Sequence, residues 1–336
     1  MTSIPKSLYI LCSAFITGTA ATIAFAEDVA ADKERLQEIV DNTESPVVAG
    51  EDGWLFLKGG IASYAKPSIW PRDDASGESP AEVITGFAGM LNSAGIDLIV
   101  VPVPGKVAIY PDKAAGLPPE ALANGPHEAF IKQLQSNGVE VIDLAPRYRQ
   151  MREQGKHPYA KQDSHWSPAG MEAAVKAVAD KLEAADWFAG SDKGKSTTRE
   201  TTVEALGDLV TLGKLEGYAP ETFQLREVQV EEGAVDDASS PVVLIGDSHL
   251  LVYHQPINGG IEASGAGFPD RLFALTGLSS DLVANQGGGA NVPRARLARR
   301  RGEEANLAGK KAVVWVFASR DLTEESSGWV PIPVIR

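Results

Sequence analysis

The chain has 336 residues, with 45 acidic and 31 basic side chains and a formal net charge of −14. Its length is enough to bury a sizeable core, in one large domain or two small ones. Nucleic acid is excluded as a partner, because phosphate binding needs a basic surface. The single cysteine, Cys12, excludes a disulfide framework and a multi-thiolate metal site.

The first 26 residues have the features of an export signal. One early lysine precedes a long apolar stretch that ends in the small-x-small triplet Ala24-Phe25-Ala26. This pattern predicts cleavage after the triplet and export to the periplasm. An uncleaved inner-membrane anchor is the alternative, since the apolar stretch is just long enough to span a bilayer. Residues 27–44 are then a polar, helical lead-in, and residues 45–336 a single domain.

The chain after residue 45 predicts an α/β fold with a mostly parallel sheet. "VVAGEDGWLFLKGG" predicts a hairpin that turns at Asp52-Gly53. Helices then alternate with continuous apolar strands, which is typical of parallel sheets buried on both faces. The predicted helices are "SPAEVITGFAGMLNSAG", "PHEAFIKQLQSNG" and "SPAGMEAAVKAVADKLEAA". The predicted strands are "IDLIVVPVP", "VEVIDL", "SPVVLIGDSHL" and "KAVVWVFASRDL".

A candidate nucleophile follows one of these strands. In "SPVVLIGDSHL" the apolar run ends at Gly246, and Asp247 and Ser248 come next. Ligands bind beyond the carboxyl ends of strands in open α/β sheets, so Ser248 stands where a nucleophile is expected. We expect Gly246 to let the backbone turn sharply. The alternative is a serine that only caps a helix.

A serine nucleophile needs a base, and His165 is the strongest of the five histidines. Asp163 precedes it by two residues, and a helix start at Ser167-Pro168 follows. A carboxylate at this spacing can orient the imidazole and stabilise its protonated form. The alternative is a capping and turn pair. No H-E-x-x-H motif or cysteine cluster indicates a metal, so we expect neither a metal nor a cofactor.

Two short motifs in a particular order carry a family resemblance. "GDSHL" resembles the nucleophile block of SGNH (GDSL-type) hydrolases. "DSHW", placed before it, resembles the circularly permuted alginate O-acetyltransferases of that superfamily, the AlgJ and AlgX type. "VVAGEDGWLFLKGG", "VPVPGKVAIYPD" and "VVWVFASRDL" extend the resemblance over about residues 45–325. It implies a three-layer α/β/α domain with a mostly parallel sheet and a triad of Ser248, His165 and Asp163.

The resemblance also implies a function and its partners. It implies a periplasmic enzyme that moves acetyl groups onto hydroxyls of an exported polysaccharide, alginate or similar, and receives them through a membrane-bound O-acyltransferase. Because the sequence ends at Arg336, soon after the last predicted strand, we expect it to lack the C-terminal carbohydrate-binding module of the AlgX type. Two alternatives stay open. One is a carbohydrate acetylesterase with the same residues, and the other is a non-catalytic polysaccharide-binding or assembly factor.

An oxyanion intermediate needs hydrogen-bond donors, and the sequence offers two sources. One is the backbone N–H of Ser248. The other is the glycine-rich loop "ANQGGGANVP", residues 284–293, with Asn285, Gly287 and Asn291. A flexible loop or a helix entry is the alternative for this segment.

Further candidates are predicted beside the strands. Lys106, Tyr110 and Arg320 could bind sugar or donor, or be simple surface and capping residues. Trp166 could be a wall or a platform for a sugar ring, or pack in the core. The basic stretch "RARLARRR", residues 294–301, could contact an anionic polymer or form a solvated helix face.

Overall fold

The computed structural model describes residues 16–73, 77–300, 307–325 and 328–335. The strands are β1 Val47–Ala49, β2 Leu55–Leu57, β3 Asp97–Val103, β4 Glu140–Val141, β5 Lys195–Ala205, β6 Glu221–Glu232, β7 Val242–Gly246, β8 Asp281–Ala284 and β9 Ala312–Ala318. The helices are α1 Ile16–Asp41, α2 Lys58–Ala65, α3 Pro80–Ser93, α4 Lys106–Ile109, α5 Pro111–Ala115, α6 Pro126–Ser136, α7 Ala145–Glu153, α8 Pro168–Glu183, α9 Asp208–Gly213, α10 Phe268–Thr276, α11 Asn291–Arg299 and α12 Asp321–Glu324. Three short 3₁₀ helices cover Glu51–Gly53, Phe188–Gly190 and Ser248–Leu250.

Five parallel strands form the central sheet in the order β4-β3-β9-β7-β8. In its centre, Val100 of β3 lies opposite Trp315 of β9, and Trp315 lies opposite Ile245 of β7. All seven residues of β9 and all five of β7 are buried. These runs are apolar because helices cover both faces of the sheet. The predicted, mostly parallel α/β sheet is confirmed.

The two faces of the sheet are covered by different helices. Side chains of α3, α6 and α11 pack on one face, around Trp315 and Phe317. Side chains of α4, α8 and α10 pack on the other face, around Val101 and Val314. Alternate residues of one strand therefore point into two separate hydrophobic clusters, as the strand period requires. The predicted three-layer α/β/α arrangement is confirmed.

The predicted N-terminal hairpin is also present. β1 and β2 are antiparallel, and Val47 lies opposite Leu57. The turn between them contains Asp52 at a φ of 53° and Gly53 at 78°. Left-handed backbone is tolerated by glycine and, among other residues, best by asparagine and aspartate. The Asp-Gly pair was therefore the correct turn signal.

The long antiparallel pair β5 and β6 was not predicted. Ala205 lies opposite Glu221 at the end where residues 206–220, including α9, connect the strands, and the pair extends for eleven residues along β5. No residue of β5 is fully buried, and Phe223 and Leu225 are the buried residues of β6. β5 has little apolar alternation, which is the usual sequence signal for a strand, and the alternation in β6 is interrupted by the adjacent polar residues Arg226 and Glu227.

The N-terminal helix α1 continues through the predicted cleavage position. Leu36 in this helix is completely buried in the main core, so the predicted lead-in packs against the domain. Residues 1–15, which make up most of the predicted signal, lie outside the described residues. Cleavage and the domain bounds stay predictions. Among the helices that the structure describes, none combines the length and the apolar character needed to cross a membrane.

Candidate active site

The strand β7 ends beside the candidate nucleophile. Gly246 is not in the left-handed region, so the predicted reason for this glycine, a sharp turn, was wrong. A Cβ at Gly246 would lie 2.3 Å from the carbonyl oxygen of Val316 and 2.9 Å from Cδ1 of Leu250. The glycine instead allows the close approach of β9 and of the turn that begins at Ser248.

Asp247 fixes the turn that carries Ser248. Its Oδ1 accepts hydrogen bonds from the backbone N–H of His249 and lies 2.8 Å from Nδ1 of the same residue. Its Oδ2 accepts from the backbone N–H of Ala318 at 2.9 Å. Burial opposes ionisation of Asp247, but His249 and Arg320 outweigh it and lower the pKa of this carboxyl. The ionised carboxylate therefore ties the serine turn to the end of β9.

The structure brings Ser248, His165 and Asp163 into one chain of contacts. Oγ of Ser248 lies 2.8 Å from Nε2 of His165, although the two residues are 83 positions apart. Nδ1 of His165 lies 2.8 Å from Oδ1 of Asp163, and the same oxygen accepts from the backbone N–H of His165 at 2.8 Å. Ser167 caps α8 by accepting from the N–H of Gly170, as predicted. The catalytic role of the three residues stays a prediction.

The charges around His165 favour its protonated form. Burial by itself lowers the pKa of His165, but the carboxylates of Asp163, Asp208 and Asp247 outweigh burial and raise the pKa to about 9. Burial likewise opposes ionisation of Asp163, but His165 outweighs it and lowers the pKa of the carboxyl. The site can therefore hold an imidazolium next to a carboxylate, which a serine nucleophile requires of its base.

Lys106 supports the loop that contains Asp163. Its Nζ donates to the backbone carbonyls of Leu55 and Lys161 at 2.8 Å and of Asp163 at 3.0 Å. The side chain is buried, and burial lowers the pKa of this lysine to about 7. All three ammonium protons have backbone acceptors. The prediction that Lys106 binds sugar or donor is therefore corrected to a structural role.

Two predicted aromatic contacts with substrate are also corrected. Tyr110 is 1% exposed, lies 4.0 Å from Trp54 between ring centroids, and has its hydroxyl 3.3 Å from Nδ1 of His157. Trp166 is completely buried and stacks on Phe268 at 5.7 Å. Neither ring offers a face to a sugar. For Trp166, the core-packing alternative agrees with the structure.

The glycine-rich loop follows β8, next to β7. The N–H of Asn285 donates to the carbonyl of Gly246 at 3.0 Å, and its side-chain amide donates to the carbonyl of the next residue at 2.9 Å. Gly287 is exposed and has a φ of 66°. Both lie at the correct sheet edge, and their roles stay predictions. Asn291 is buried and donates to the carbonyl of Gly328, so it is not an oxyanion donor.

Arg320 follows β9 and is partly exposed. It lines a cavity of about 40 Å³ together with His249 and Ser164, which are the sequence neighbours of Ser248 and His165. The rest of the lining is mostly apolar and includes Phe56 and Val103. Lys106 also lines this cavity, but its ammonium is bonded to three backbone carbonyls. Arg320 is partly exposed there, and its binding role stays a prediction.

The arginines of the predicted basic strip differ in their burial. Arg294 is completely buried, with its guanidinium 4.9 Å from the ring centroid of Trp315. Arg300 forms an ion pair with Asp281. Arg296 and Arg299 are exposed. Neither interpretation fits Arg294, because it is a core residue. For Arg296 and Arg299, contact with an anionic polymer and a solvated helix face both stay predictions. The last arginine of the strip lies outside the described residues.

Sequence reasoning missed Asp208, whose Oδ2 lies 3.7 Å from Nδ1 of His165. In "ALGDLVTLG" it has the pattern of an ordinary helix start, and no local signal connects it with a histidine. Oxygen and nitrogen atoms of Asp163, His165 and Asp208 lie within 4.8 Å of one another, but they are already hydrogen-bonded to protein groups. The absence of a metal and of a cofactor stays a prediction.

Comparison with known proteins identifies the family. Residues 47–319 match the family described as "SGNH hydrolase-like domain, acetyltransferase AlgX". The chain belongs to this family. The predicted resemblance is therefore confirmed.

Individual proteins and solved structures similar to this chain lead to the same family. The chain is 26% identical over 309 residues to the probable alginate O-acetylase AlgJ of Pseudomonas aeruginosa, covering 84% of this chain and 74% of that one. The solved O-acetyltransferase domain of Pseudomonas putida AlgJ is 23% identical, with a TM-score of 0.60, covering 83% of this chain and 92% of that domain. The structure of Pseudomonas aeruginosa AlgX is 22% identical, with the same TM-score, covering 84% and 68%. The homologues are named acetylases, so the enzyme class is confirmed at the level of the family.

Proposed function

We propose that this protein is a polysaccharide O-acetyltransferase in which Ser248 carries the acetyl group. The proposal rests on two contacts of the His165 ring. Its Nε2 lies 2.8 Å from Oγ of Ser248, and its Nδ1 lies 2.8 Å from Oδ1 of Asp163. A hydroxyl next to a base, with the base held by a carboxylate, is the arrangement that nucleophilic acyl transfer needs. The alginate acetylases among the relatives support alginate or a similar polymer as the acceptor.

The first half-reaction forms an acetyl ester on Ser248. Its Oγ attacks the carbonyl carbon of the acetyl donor, and the hydroxyl proton moves to Nε2 of His165. The carbonyl oxygen becomes negatively charged while Asp163 stabilises the new imidazolium. The intermediate then collapses, and the donor leaves with the proton from His165. Each proton taken from the serine is returned to the leaving group.

The second half-reaction transfers the acetyl group. A sugar hydroxyl attacks the ester carbonyl, and its proton moves to His165. Ser248 leaves and recovers that proton, which restores the enzyme. Water in place of the sugar gives hydrolysis, so exclusion of water and binding of the acceptor distinguish a transferase from an esterase.

The backbone N–H of Ser248 is the best candidate for stabilising the oxyanion. It stands at the start of the 3₁₀ helix Ser248–Leu250. Among the described residues it has no hydrogen-bond acceptor. A free amide beside the reacting oxygen can bind developing negative charge. Asn285, at the end of the neighbouring strand, is the candidate for a second donor.

The reaction would take place in the periplasm. This location rests on the apolar N-terminus that ends in Ala24-Phe25-Ala26. Because acetyl-CoA is cytoplasmic, the acetyl group would arrive through a membrane-bound O-acyltransferase. N-terminal sequencing of native protein tests the location. A start at Glu27 in the periplasmic fraction supports it, and Met1 retained in the inner membrane indicates an anchor.

The activity is tested with p-nitrophenyl acetate as donor and a deacetylated alginate oligosaccharide as acceptor. We expect nitrophenol release, an acetyl group on Ser248 by mass spectrometry, and acetylated oligosaccharide. Ser248→Ala should lose all three while keeping its circular dichroism spectrum. Hydrolysis with no acetylated oligosaccharide would favour an esterase. Parental turnover by Ser248→Ala would contradict the proposal.

A further inference from the structure

Asp208 places a second carboxylate against His165. It is the first residue of α9, and its Oδ2 lies 3.7 Å from Nδ1 of His165. Its side chain is 19% exposed, whereas those of His165 and Asp163 are 6% and 0% exposed. The Asp208 carboxylate is therefore more exposed to solvent than the buried pair, and it lies near Nδ1, whereas Nε2 contacts Ser248.

The backbone at the start of α9 packs directly on the loop before His165. The N–H of Asp208 donates to Oδ2 of Asp163 at 3.1 Å, and the N–H of Leu209 donates to the carbonyl of Gln162 at 3.2 Å. A Cβ at Gly207 would lie 2.2 Å from the carbonyl carbon of Gln162. The two backbones are therefore in contact, and only glycine allows this approach.

The side chain of Asp208 holds the residue between Asp163 and His165. It accepts from the backbone N–H of Ser164 at 2.6 Å and from the Ser164 hydroxyl at 2.5 Å. Asp208 thus bonds to Asp163 through its backbone and to Ser164 through its carboxylate. These three contacts restrict the loop that sets the position of the His165 ring.

Several charged or titratable groups face His165 from the elements packed around it. They are the carboxylates of Asp163, Asp208 and Asp247, the ring of His249, and the Lys106 ammonium bonded to the Asp163 carbonyl. Burial, followed by the charge of Asp163, raises the pKa of the Asp208 carboxyl. Of the three carboxylates, that of Asp163 is hydrogen-bonded to Nδ1 of His165, and that of Asp208 is the next nearest to this nitrogen.

We propose that Asp208 is a positioning residue that orients His165 and strengthens it as a base, an inference that rests on the proposed function. A negative charge close to Nδ1 stabilises the imidazolium that forms when Ser248 loses its proton. The hydrogen bonds to Asp163 and Ser164 keep the imidazole aligned with Ser248. Asp208 acts through His165 and touches neither donor nor acceptor.

The first test titrates His165 by NMR in the inactive Ser248→Ala background. Asp208→Asn removes the charge and keeps an oxygen acceptor for the N–H of Ser164. We expect the pKa of His165 to fall by about one unit. Asp180→Asn is the matched control, because Asp180 lies on the exposed surface of α8 and pairs with Lys176. It should leave the titration unchanged. If Asp208→Asn does not fold, the titration of His165 is measured in Asp208→Ser instead, with the same expected decrease in its pKa.

The second test follows p-nitrophenyl acetate turnover against pH in the active protein. Asp208→Asn should move the acidic limb of the kcat/KM profile to lower pH and reduce the plateau value of kcat/KM about tenfold. Asp208→Glu keeps the charge, so its limb and its plateau should both lie between those of the parent and of Asp208→Asn. An unchanged His165 titration and an unchanged limb would overturn the inference. Failure of the proposed function gives a different result, namely parental turnover by Ser248→Ala.

Discussion

His165 and His249 face each other with ring centroids 5.2 Å apart, and each ring is held by the aspartate two residues before it. In both cases the aspartate Oδ1 lies 2.8 Å from the backbone nitrogen and from Nδ1 of its histidine. The tripeptide Asp-Ser-His thus occurs twice with one local geometry. Burial lowers the pKa of His249, whereas that of His165 is raised to about 9. Of these two histidines, His165 is the one whose ring nitrogen contacts the Ser248 hydroxyl, so it is the one we propose as the base.

Under the proposed function, Ser248, His165 and Asp163 should act as one unit. Ser248→Ala and His165→Ala should each reduce turnover of p-nitrophenyl acetate to near background, because one removes the nucleophile and the other its base. Asp163→Asn should cost about 10⁴-fold in kcat, as in the serine-protease triad. Double variants should cost little more than single ones. Steady-state kinetics with circular dichroism checks this. Ser136→Ala, on the exposed side of α6, should behave like the parent.

The activity should depend on pH through His165. Only the neutral imidazole can accept the proton of Ser248, and the pKa of His165 is raised to about 9. We therefore expect kcat/KM to rise about tenfold per pH unit below that value and to level off above it. The same shift stabilises the folded state below about pH 6.5, and this contribution is lost as the pH rises through about 9.

A pH series with p-nitrophenyl acetate, corrected for spontaneous hydrolysis, measures this dependence. An acidic limb near 6.5, the ordinary pKa of histidine, would show that the carboxylates around His165 do not raise its pKa.

Gly246→Ala should lower both stability and activity. The new Cβ would meet the carbonyl oxygen of Val316 at 2.3 Å, so β7 would have to move away from β9 just before Ser248. We expect a loss of about 1–3 kcal/mol in the free energy of unfolding, measured by urea denaturation, with a lower kcat. Gly86→Ala is the control. Gly86 is exposed in α3 with no neighbour within 4 Å, so alanine should stabilise the helix slightly.

We expect one arginine of α11 to matter for stability and two others to matter for polysaccharide binding. Arg294→Ala should destabilise the fold by on the order of 3 kcal/mol, because it leaves a cavity beside Trp315 and removes the donors to the Val330 carbonyl and to Asn291. Arg296→Ala combined with Arg299→Ala should keep the melting temperature of the parent. The double variant should weaken binding to an anionic polysaccharide at low salt, and added salt should mask the difference. Equal binding by parent and double variant at low salt would assign the two exposed arginines to a solvated face.

Local chemistry in the sequence was enough to predict much of the fold and the centre of the site. Continuous apolar runs indicated β3, β7 and β9, since parallel strands are covered on both faces. Asp52-Gly53 indicated the hairpin turn because its left-handed backbone favours those residues. Ser248 and the Asp163–His165 pair were visible because each stands in a short motif at a strand end or helix start.

Tertiary structure alone decided which polar and aromatic side chains are buried. Lys106, Tyr110 and Trp166 have residue types that suit a binding site, yet their environments are made by segments distant in the chain. Asp208 is 45 residues from Asp163, and its contact with the loop before His165 depends on an approach of two backbones that no local pattern encodes. Periodicity and turn preferences are properties of neighbours along the chain. Burial and the pKa of a side chain depend on neighbours in space, which only the packed fold determines.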